Sequence, residues 1–315
     1  QMCIRDRLSM AASRLGFKTH IFEPSANPPA SNVSSRFTQA EYDDYRALEK
    51  FALSVDVVTY EFENIPTAAL DIIEKQCEIF PSREALKISQ DRLLEKEFIN
   101  KLGFKTASFC EVSTQEDLIH AIDQVGTPSI LKTRRFGYDG KGQLKIDKNT
   151  NFFEAWENLG SVECVLEEKL EFKREISLMY FKSLDGSEGF FPLSENYHEN
   201  GILKKTTAPT YLDSNIELDI KTKAKNLAQN LNFYGVLAIE LFELLDGSIV
   251  FNEIAPRPHN SFHWTLNGCN ISQFDILVRT ICGLPVKDVD CNGKWEMTNL
   301  LGKDVNLSLI HISEP

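Results

Sequence analysis

Between Asn252 and Thr265 the chain reads NEIAPRPHNSFHWT. Pro256 and Pro258 remove backbone donors and restrict the residues before them, so the stretch is no regular helix. It is too polar for a plain core strand. The pattern is an acid at a strand end followed by a shaped polar loop, from which binding sites are often built. Just upstream, GVLAIELFELLDGSIVFNEI reads as a β-hairpin turning at Asp246-Gly247. A two-residue turn sets Leu245 opposite Ser248, and therefore Glu240 opposite Glu253. Directly opposed like charges destabilise a sheet. A divalent cation between the carboxylates removes the conflict, and Mg2+ favours carboxylates together with phosphate oxygens. The plainer alternative is two acids on a solvated face, against which stand the apolar flanks. A one-residue bulge would break the register.

Weaker signals accompany this pair. In KTRRFGYDGKGQ, Lys132 to Gln143, the glycines Gly137, Gly140 and Gly142 permit close backbone approach to an anion, and Lys132, Arg134, Arg135 and Lys141 supply charge. The spacing is not that of a Walker loop, and a flexible hairpin tip would read the same way. In EEKLEFKREIS, Glu175 follows Glu167 at a spacing that would let a carboxylate meet ribose hydroxyls beside an adenine, although a surface charge run is the commoner meaning. His198 lies in ENYHENG, where a lone histidine is more often solvated, whereas His259 and His263 sit close after Glu253. Phe262 and Trp264 read as packing residues. Tyr60, Glu61, Phe62 and Glu63 fall at the C-terminal end of a strand, where open α/β sheets bind ligands, but little else locally supports a role for them.

The elements that must position these groups are legible from periodicity. AASRLGFKTHIFEP reads as a helix end, a glycine turn and a strand; VDVVTYEFEN as a buried strand; PTAALDIIEK as the helix after it. Alternating strands and helices imply a parallel sheet. QDRLLEKEFINKL puts Leu94, Phe98 and Leu102 on one helical face, and IELDIKTKAKNLAQNL aligns Ile220, Ala224, Leu227 and Leu231. ECVLEEKL and REISLMYF read as strands, and SILKTRRFGYDGKGQLKI as two short strands around the glycine-rich loop.

The 315 residues allow two or three domains with real cores. No apolar run approaches the ~20 residues that span a bilayer. Seven scattered cysteines without a Cys-x-x-Cys pair argue against a zinc site or a disulfide framework and suit a reducing cytosol. A net charge of −12 argues against a general nucleic-acid binder.

In this order the pieces resemble an ATP-grasp enzyme, and within that superfamily the 5-(carboxyamino)imidazole ribonucleotide synthase family of purine biosynthesis. DVVTYEFENIP, QDRLLEKEF, KTRRFGYDGKGQ and NEIAPRPHNSFHWT carry the likeness, which runs from about Leu8 to Gly302. The resemblance implies an α/β (α+β) chain. A partial doubly wound, Rossmann-like pre-ATP-grasp domain would occupy residues 1–90. An ATP-grasp domain would follow over 91–300, with a lid subdomain at about 110–172. It implies ATP and Mg2+ as cofactors, 5-aminoimidazole ribonucleotide and bicarbonate as substrates, a homodimer when complete, and a cytoplasmic location, with neither nucleic acid nor membrane as partner. Arg92 and Lys132 would contact ATP phosphates. Gly137, Tyr138, Asp139, Gly140, Lys141, Gly142 and Gln143 would form the lid loop, with Tyr138 and Asp139 also facing the imidazole. Glu167, Glu168, Lys169 and Leu170 would hold adenine, Glu175 the ribose, and His198 would approach the nucleotide. Glu240 and Glu253 would bind Mg2+ beside Asn252. Arg257, His259, Asn260 and His263 would belong to the ribonucleotide side, and Lys132, Asp139 and Arg257 would be catalytic. The implied reaction is attack of bicarbonate on the γ-phosphate of ATP, giving carboxyphosphate, then carboxylation of the exocyclic amine.

Three departures from the family pattern are visible. Phe262 stands where the family usually has glycine, which predicts a narrower pocket. The family's first strand and glycine-rich turn are replaced by QMCIRDR, and residues 301–315, the expected remnant of a C-terminal module, end in NLSLIHISEP; both ends resemble translated adapter sequence. The expectation is a fragment that binds Mg-ATP and carboxylates poorly. The alternatives are another ATP-grasp ligase, such as a formate-dependent ribonucleotide transformylase, and a nucleotide-binding remnant without turnover.

Overall fold

The computed structural model describes residues 2–137, 140–300 and 302, with the side chains of residues 2 and 3 left aside. Tyr138, Asp139 and, Gly302 apart, the 301–315 tail lie outside the described residues.

In the N-terminal part, α1 (Met2–Arg14) leads to β1 (His20–Glu23), β2 (Arg36–Gln39), α2 (Tyr45–Ala52), β3 (Val57–Val58), α3 (Thr67–Ile73), β4 (Glu78–Ile79) and α4 (Arg83–Ser89). β1 pairs in parallel with β2, and β3 with β4. The expected single parallel sheet is present as two separate two-stranded pieces among the described residues. A cavity of about 900 Å³, lined by Leu8, Ile21, Phe22, Val57 and Val58 among others, lies between them.

The next helix, α5 (Arg92–Lys101), starts where the Asp91 carboxylate accepts from the N–H groups of Leu93 and Leu94, satisfying donors that a helix start leaves unpaired. The expected apolar row, Leu94, Phe98 and Leu102, packs partly buried against a hydrophobic core cluster, and beyond that row Glu95 and Lys96 are each 2% exposed. The helix is wedged between two sheets, so a polar face is buried as well.

The first of those sheets is a small antiparallel one built from β5 (Phe109–Val112), β6 (Ser129–Thr133), β7 (Gln143–Ile146) and β8 (Cys164–Glu168), in the order β5-β8-β6-β7. It packs with α6 (Gln115–Val125) and α7 (Phe152–Asn158) around Val112, Leu118, Leu131, Ile146 and Leu166. The second comprises β9 (Phe172–Lys182), β10 (Glu188–Phe190), β11 (Ser194–Glu199), β12 (Ile202–Ala208), β13 (Gly235–Leu244), β14 (Ile249–Ala255) and β15 (Trp295–Thr298). Its order is β14-β13-β9-β11-β12-β15, with β10 added to β9. Helix α8 (Ser214–Asn230) covers one face, and α10 (Gln273–Ile281) with α1 covers the other; between β14 and α10 lies the short α9 (Thr265–Gly268). β13 is buried on both sides: Leu237, Ile239 and Leu241 join the α8 face, and Val236 and Ala238 the α10 face, as the two-residue period of a strand requires. The expected row Ile220, Ala224, Leu227 and Leu231 is buried beneath α8.

The β13–β14 hairpin departs from the two-residue turn. Leu244 N–H donates to Ser248 O at 2.9 Å, so Leu245, Asp246 and Gly247 form a three-residue loop, with Gly247 at φ 83°. Leu241 accordingly pairs with Phe251. One further step along, Asn252 is skipped as a bulge and Glu240 pairs with Glu253. The longer turn shifts the register by one and the bulge shifts it back.

Candidate active site

The bulge sets the carboxylates of Glu240 and Glu253 side by side on one face of the sheet. Asn252 Nδ2 donates to Glu240 Oε2 at 3.5 Å, and the other Glu240 oxygen is buried without a hydrogen-bond partner. Burial and the neighbouring Glu253 push the Glu240 carboxyl up to about 8. Glu240 is largely buried with an orphaned oxygen, and Glu253 beside it is half-exposed, so this donor set fits a hard divalent cation. Arg92, at the start of α5, reaches Glu253 at 3.5 Å.

Beyond Arg92 lies a cationic cluster on the small sheet. Lys132, at the end of β6, and Lys96, on α5, both meet Glu167 Oε2, at 2.8 and 3.2 Å. Burial works against the charge of Glu167, but Lys132 and Lys96 overcome it and hold the carboxyl down at about 2. Burial and the neighbouring Arg92 and Lys96 lower the Lys132 ammonium despite Glu167. Two lysines and an arginine thus crowd one glutamate, leaving positive charge in excess. Arg134 and Arg135 do not contribute to it as expected. Arg134 forms a two-pronged pair with Asp91 at 2.8 and 3.1 Å, and Arg135 lies 3.5 Å from the same carboxylate. They brace the start of α5 instead.

The glycine loop closes near these groups. A Cβ on Gly142 would stand 2.7 Å from Thr133 Oγ1, and one on Gly137 would stand 3.4 Å from Arg92 Nη2. Gly140 and Gly142 have φ of +75° and +71°, and a Cβ on Gly140 would be 3.0 Å from Asn200 O. Gly137 therefore lies against Arg92 and Gly140 against the β11–β12 turn. Beside that turn, His198 on β11 contacts Glu175 on β9 through Nδ1. Burial opposes the protonation of His198, but Glu175 and Glu240 outweigh it, so its affinity for a proton rises. Back at the glycine loop, Gln143 ends it at the start of β7. Glu168 accepts from Ser108 at 2.9 Å, and Lys169 N–H donates to Pro128 O at 3.2 Å, so this edge after β8, with Leu170, is held to the small sheet.

On the far side of Glu240, Arg257 meets Glu63 at 3.0 Å. Glu63, weakly supported in the sequence, is thereby joined to the proline-rich run; burial raises its carboxyl even with Arg257 present. His259 caps the 3-10 turn Asn260–Phe262, and its Nδ1 stands 3.7 Å from Glu240 Oε1. Burial, then Arg257 and His198, lower His259 to about 3, so the ring is neutral and this contact is no ion pair. His263 is lowered to about 3 chiefly by burial. Gln273, fully buried at the start of α10, holds both: its Oε1 accepts from His259 N–H at 2.8 Å, and its Nε2 lies 2.9 Å from His259 O and 3.0 Å from His263 Nδ1. Asn260 begins the 3-10 turn and is half-buried. Phe262 is turned into the core. The ring is 0% exposed and packs toward Phe191, 6.1 Å between centroids. Trp264 donates to Ser194 Oγ at 2.9 Å in the core, a packing residue as expected.

Lys96, Glu95 and Gln273 carry site geometry that the sequence reading missed. Glu95 Oε1 accepts from the N–H of Ile254, directly after Glu253, at 2.7 Å. The only sequence signal was the spacing from Arg92, which puts residues three and four positions on over the same helical face. Gln273 had none.

An ATP-grasp domain model matches residues 97–274, and a ribonucleotide synthetase preATP-grasp domain model matches residues 5–90. The N5-carboxyaminoimidazole ribonucleotide synthase of Brucella melitensis is 41% identical over 300 residues, 95% of this chain and 83% of the relative. A bifunctional purine synthesis protein of Dictyostelium discoideum is 42% identical, but the chain spans only 32% of it. Among solved structures, an ADP complex of an N5-carboxyaminoimidazole ribonucleotide synthetase superposes with a TM-score of 0.93 at 36% identity, covering 98% of this chain and 82% of the other. The Aspergillus clavatus synthase in complex with ADP and 5-aminoimidazole ribonucleotide superposes with a TM-score of 0.90 at 27% identity, covering 99% and 85%. With both domain models in sequence and a relative of this identity matched over most of its length, the chain belongs to the N5-carboxyaminoimidazole ribonucleotide synthase family of ATP-grasp enzymes.

Proposed function

We propose that this chain carboxylates 5-aminoimidazole ribonucleotide at its exocyclic amine, using bicarbonate and ATP and releasing ADP and phosphate. The observation that carries the reading is the Glu240–Glu253 pair with its unsatisfied buried oxygen, set between a cationic cluster and a neutral histidine pair. Bound Mg2+ would be held by Glu240 and Glu253 and would offset phosphate charge. Lys132 and Arg92 take the ATP phosphates, with the backbone N–H groups of residues 137–143 closing over them. Lys132 can leave Glu167 for a phosphate because Lys96 remains to neutralise that carboxylate. The Glu167–Leu170 edge receives adenine, and Glu175 with His198 receives the ribose. Fixed charges of this kind stabilise a transferring phosphoryl group without reorganisation. Closure by the loop also excludes water, which would hydrolyse carboxyphosphate.

Arg257, His259, Asn260 and His263 form the ribonucleotide side in this reading, with Tyr138 and Asp139 brought by the loop. Neutral imidazoles suit it, since each can accept and donate a hydrogen bond without a buried charge. The family resemblance also supports a homodimer and a cytoplasmic location; among the described residues no helix is long and apolar enough to cross a membrane. The test is ADP release with bicarbonate: it should rise on adding 5-aminoimidazole ribonucleotide and ignore formate plus glycinamide ribonucleotide. The opposite pattern would establish a transformylase.

A further inference from the structure

Cys269 and Cys291 are far apart in sequence but directly opposite in space, as partners in an isolated antiparallel bridge. Asn270 N–H donates to Asp290 O at 3.0 Å, and Asn292 N–H donates to Gly268 O at 3.3 Å. These bonds flank the two cysteines rather than join them, so they form a non-hydrogen-bonded pair. Cα atoms in such pairs stand about 4.5 Å apart with the side chains on one face, within the span a disulfide bridges.

The bridge is also firmly held. Asn270 clasps the opposite segment twice: its Nδ2 donates to Asp288 O at 2.9 Å, and its Oδ1 accepts from Asp290 N–H at 3.0 Å. A Cβ on Gly268, next to Cys269, would stand 2.6 Å from the Trp264 ring and 3.0 Å from that of Trp295. Trp295 in turn donates to Asn292 O at 2.7 Å. The thiols therefore face one another on a backbone with little freedom to separate. We infer that Cys269 and Cys291 form a dithiol site that reacts with small disulfides and closes into a cross-strand disulfide, clasping the base of the loop that carries α10.

The two thiols have different roles. Burial and the neighbouring Cys291 raise the Cys269 thiol to about 12. Burial raises Cys291 too, but a hydrogen bond from Cys269 works the other way there. Cys291 is the attacking group. Its thiolate attacks one sulfur of a disulfide RSSR, forming a mixed disulfide and expelling RS⁻. Cys269 then gives up its proton and attacks the Cys291 sulfur, expelling the second RS⁻. Two protein thiols are oxidised and RSSR is reduced to two RSH.

The experiment treats the reduced full chain with oxidised glutathione and maps the non-reduced tryptic peptides. The expected product joins the Asp288–Lys294 peptide to the one ending at Arg279, with two thiols lost. The thermal midpoint should rise by roughly 5 °C, as closing a loop of this length predicts, and dithiothreitol should reverse it. Cys269→Ser should instead accumulate a glutathione adduct on Cys291 with no thermal shift. Glutathione held on wild-type Cys291 without the cross-link, or both thiols unreacted, would overturn the proposal. The wild-type peptide map decides this even if the variant does not fold.

Discussion

Glu240 faces Glu253 across the β13–β14 ladder because Asn252 bulges out between them and the turn. Without the bulge the three-residue loop would set Asn252 opposite Glu240 and turn Glu253 to the other face of the sheet. The pairing of two acids thus depends on one inserted residue, and that residue's own amide lies against Glu240.

This arrangement makes apoprotein stability fall with rising pH. The Glu240 carboxyl is raised from 4.5 to about 8. A raised acid contributes stability that is full below the unfolded-state value and is lost as pH climbs through the folded-state value. Thermal melts without Mg2+ should therefore show a midpoint that declines from about pH 4.5 to about pH 8, and Glu240→Gln should flatten the decline. The same variant, and Glu253→Gln, should cut Mg2+-dependent ATP turnover by ~100-fold or more while circular dichroism stays native. Normal turnover in Glu253→Gln would remove the pair from the reaction.

Lys132 and Lys96 share one carboxylate but should behave differently. Lys132→Ala leaves Glu167 paired with Lys96, so the fold should survive while nucleotide affinity by calorimetry falls at least ~10-fold, about 1.4 kcal/mol. Glu167→Gln leaves two buried ammonium groups without their counter-charge. That change should cost about 3 kcal/mol in urea unfolding. An equally stable Glu167→Gln protein would show that the cluster is already screened by solvent.

Gln273→Leu should separate the two halves of the site. The side chain is fully buried and holds His259 and His263 without reaching the cationic cluster. Its loss should raise KM for the ribonucleotide by ~10-fold and leave ATP affinity within about twofold. Equal losses on both substrates would mean that the residue supports the fold as a whole.

Gly142→Ala should impair closure of the loop. The added methyl would meet Thr133 Oγ1 at 2.7 Å in a residue with φ of +71°, a conformation that alanine adopts only at a cost of about 1–2 kcal/mol. ATP affinity should weaken several-fold with little change in the melting temperature, because the loop lies outside the hydrophobic clusters. Gly186→Ala, with φ +88° but open space around it, is the control for backbone strain remote from the nucleotide.

Local pattern determined much of this protein. The row on α8, the antiparallel strands flanking the glycine loop and the polar run after Glu253 were all readable because periodicity and turn chemistry act over a few residues. The opposition of Glu240 and Glu253 was also readable, though by a route that held two errors: a turn one residue too short and an unseen bulge. Tertiary structure decided the rest. Arg134 is basic in any reading, yet only the approach of Asp91 turns it from a ligand for anions into a brace for α5. Lys96 looks like a surface lysine until two sheets close over it, and Gln273 is unremarkable until a loop folds back onto its helix. Charge and hydrogen-bond capacity belong to the residue type, but which partner satisfies them is set by segments distant in sequence, and a single chain read in order does not contain that information locally.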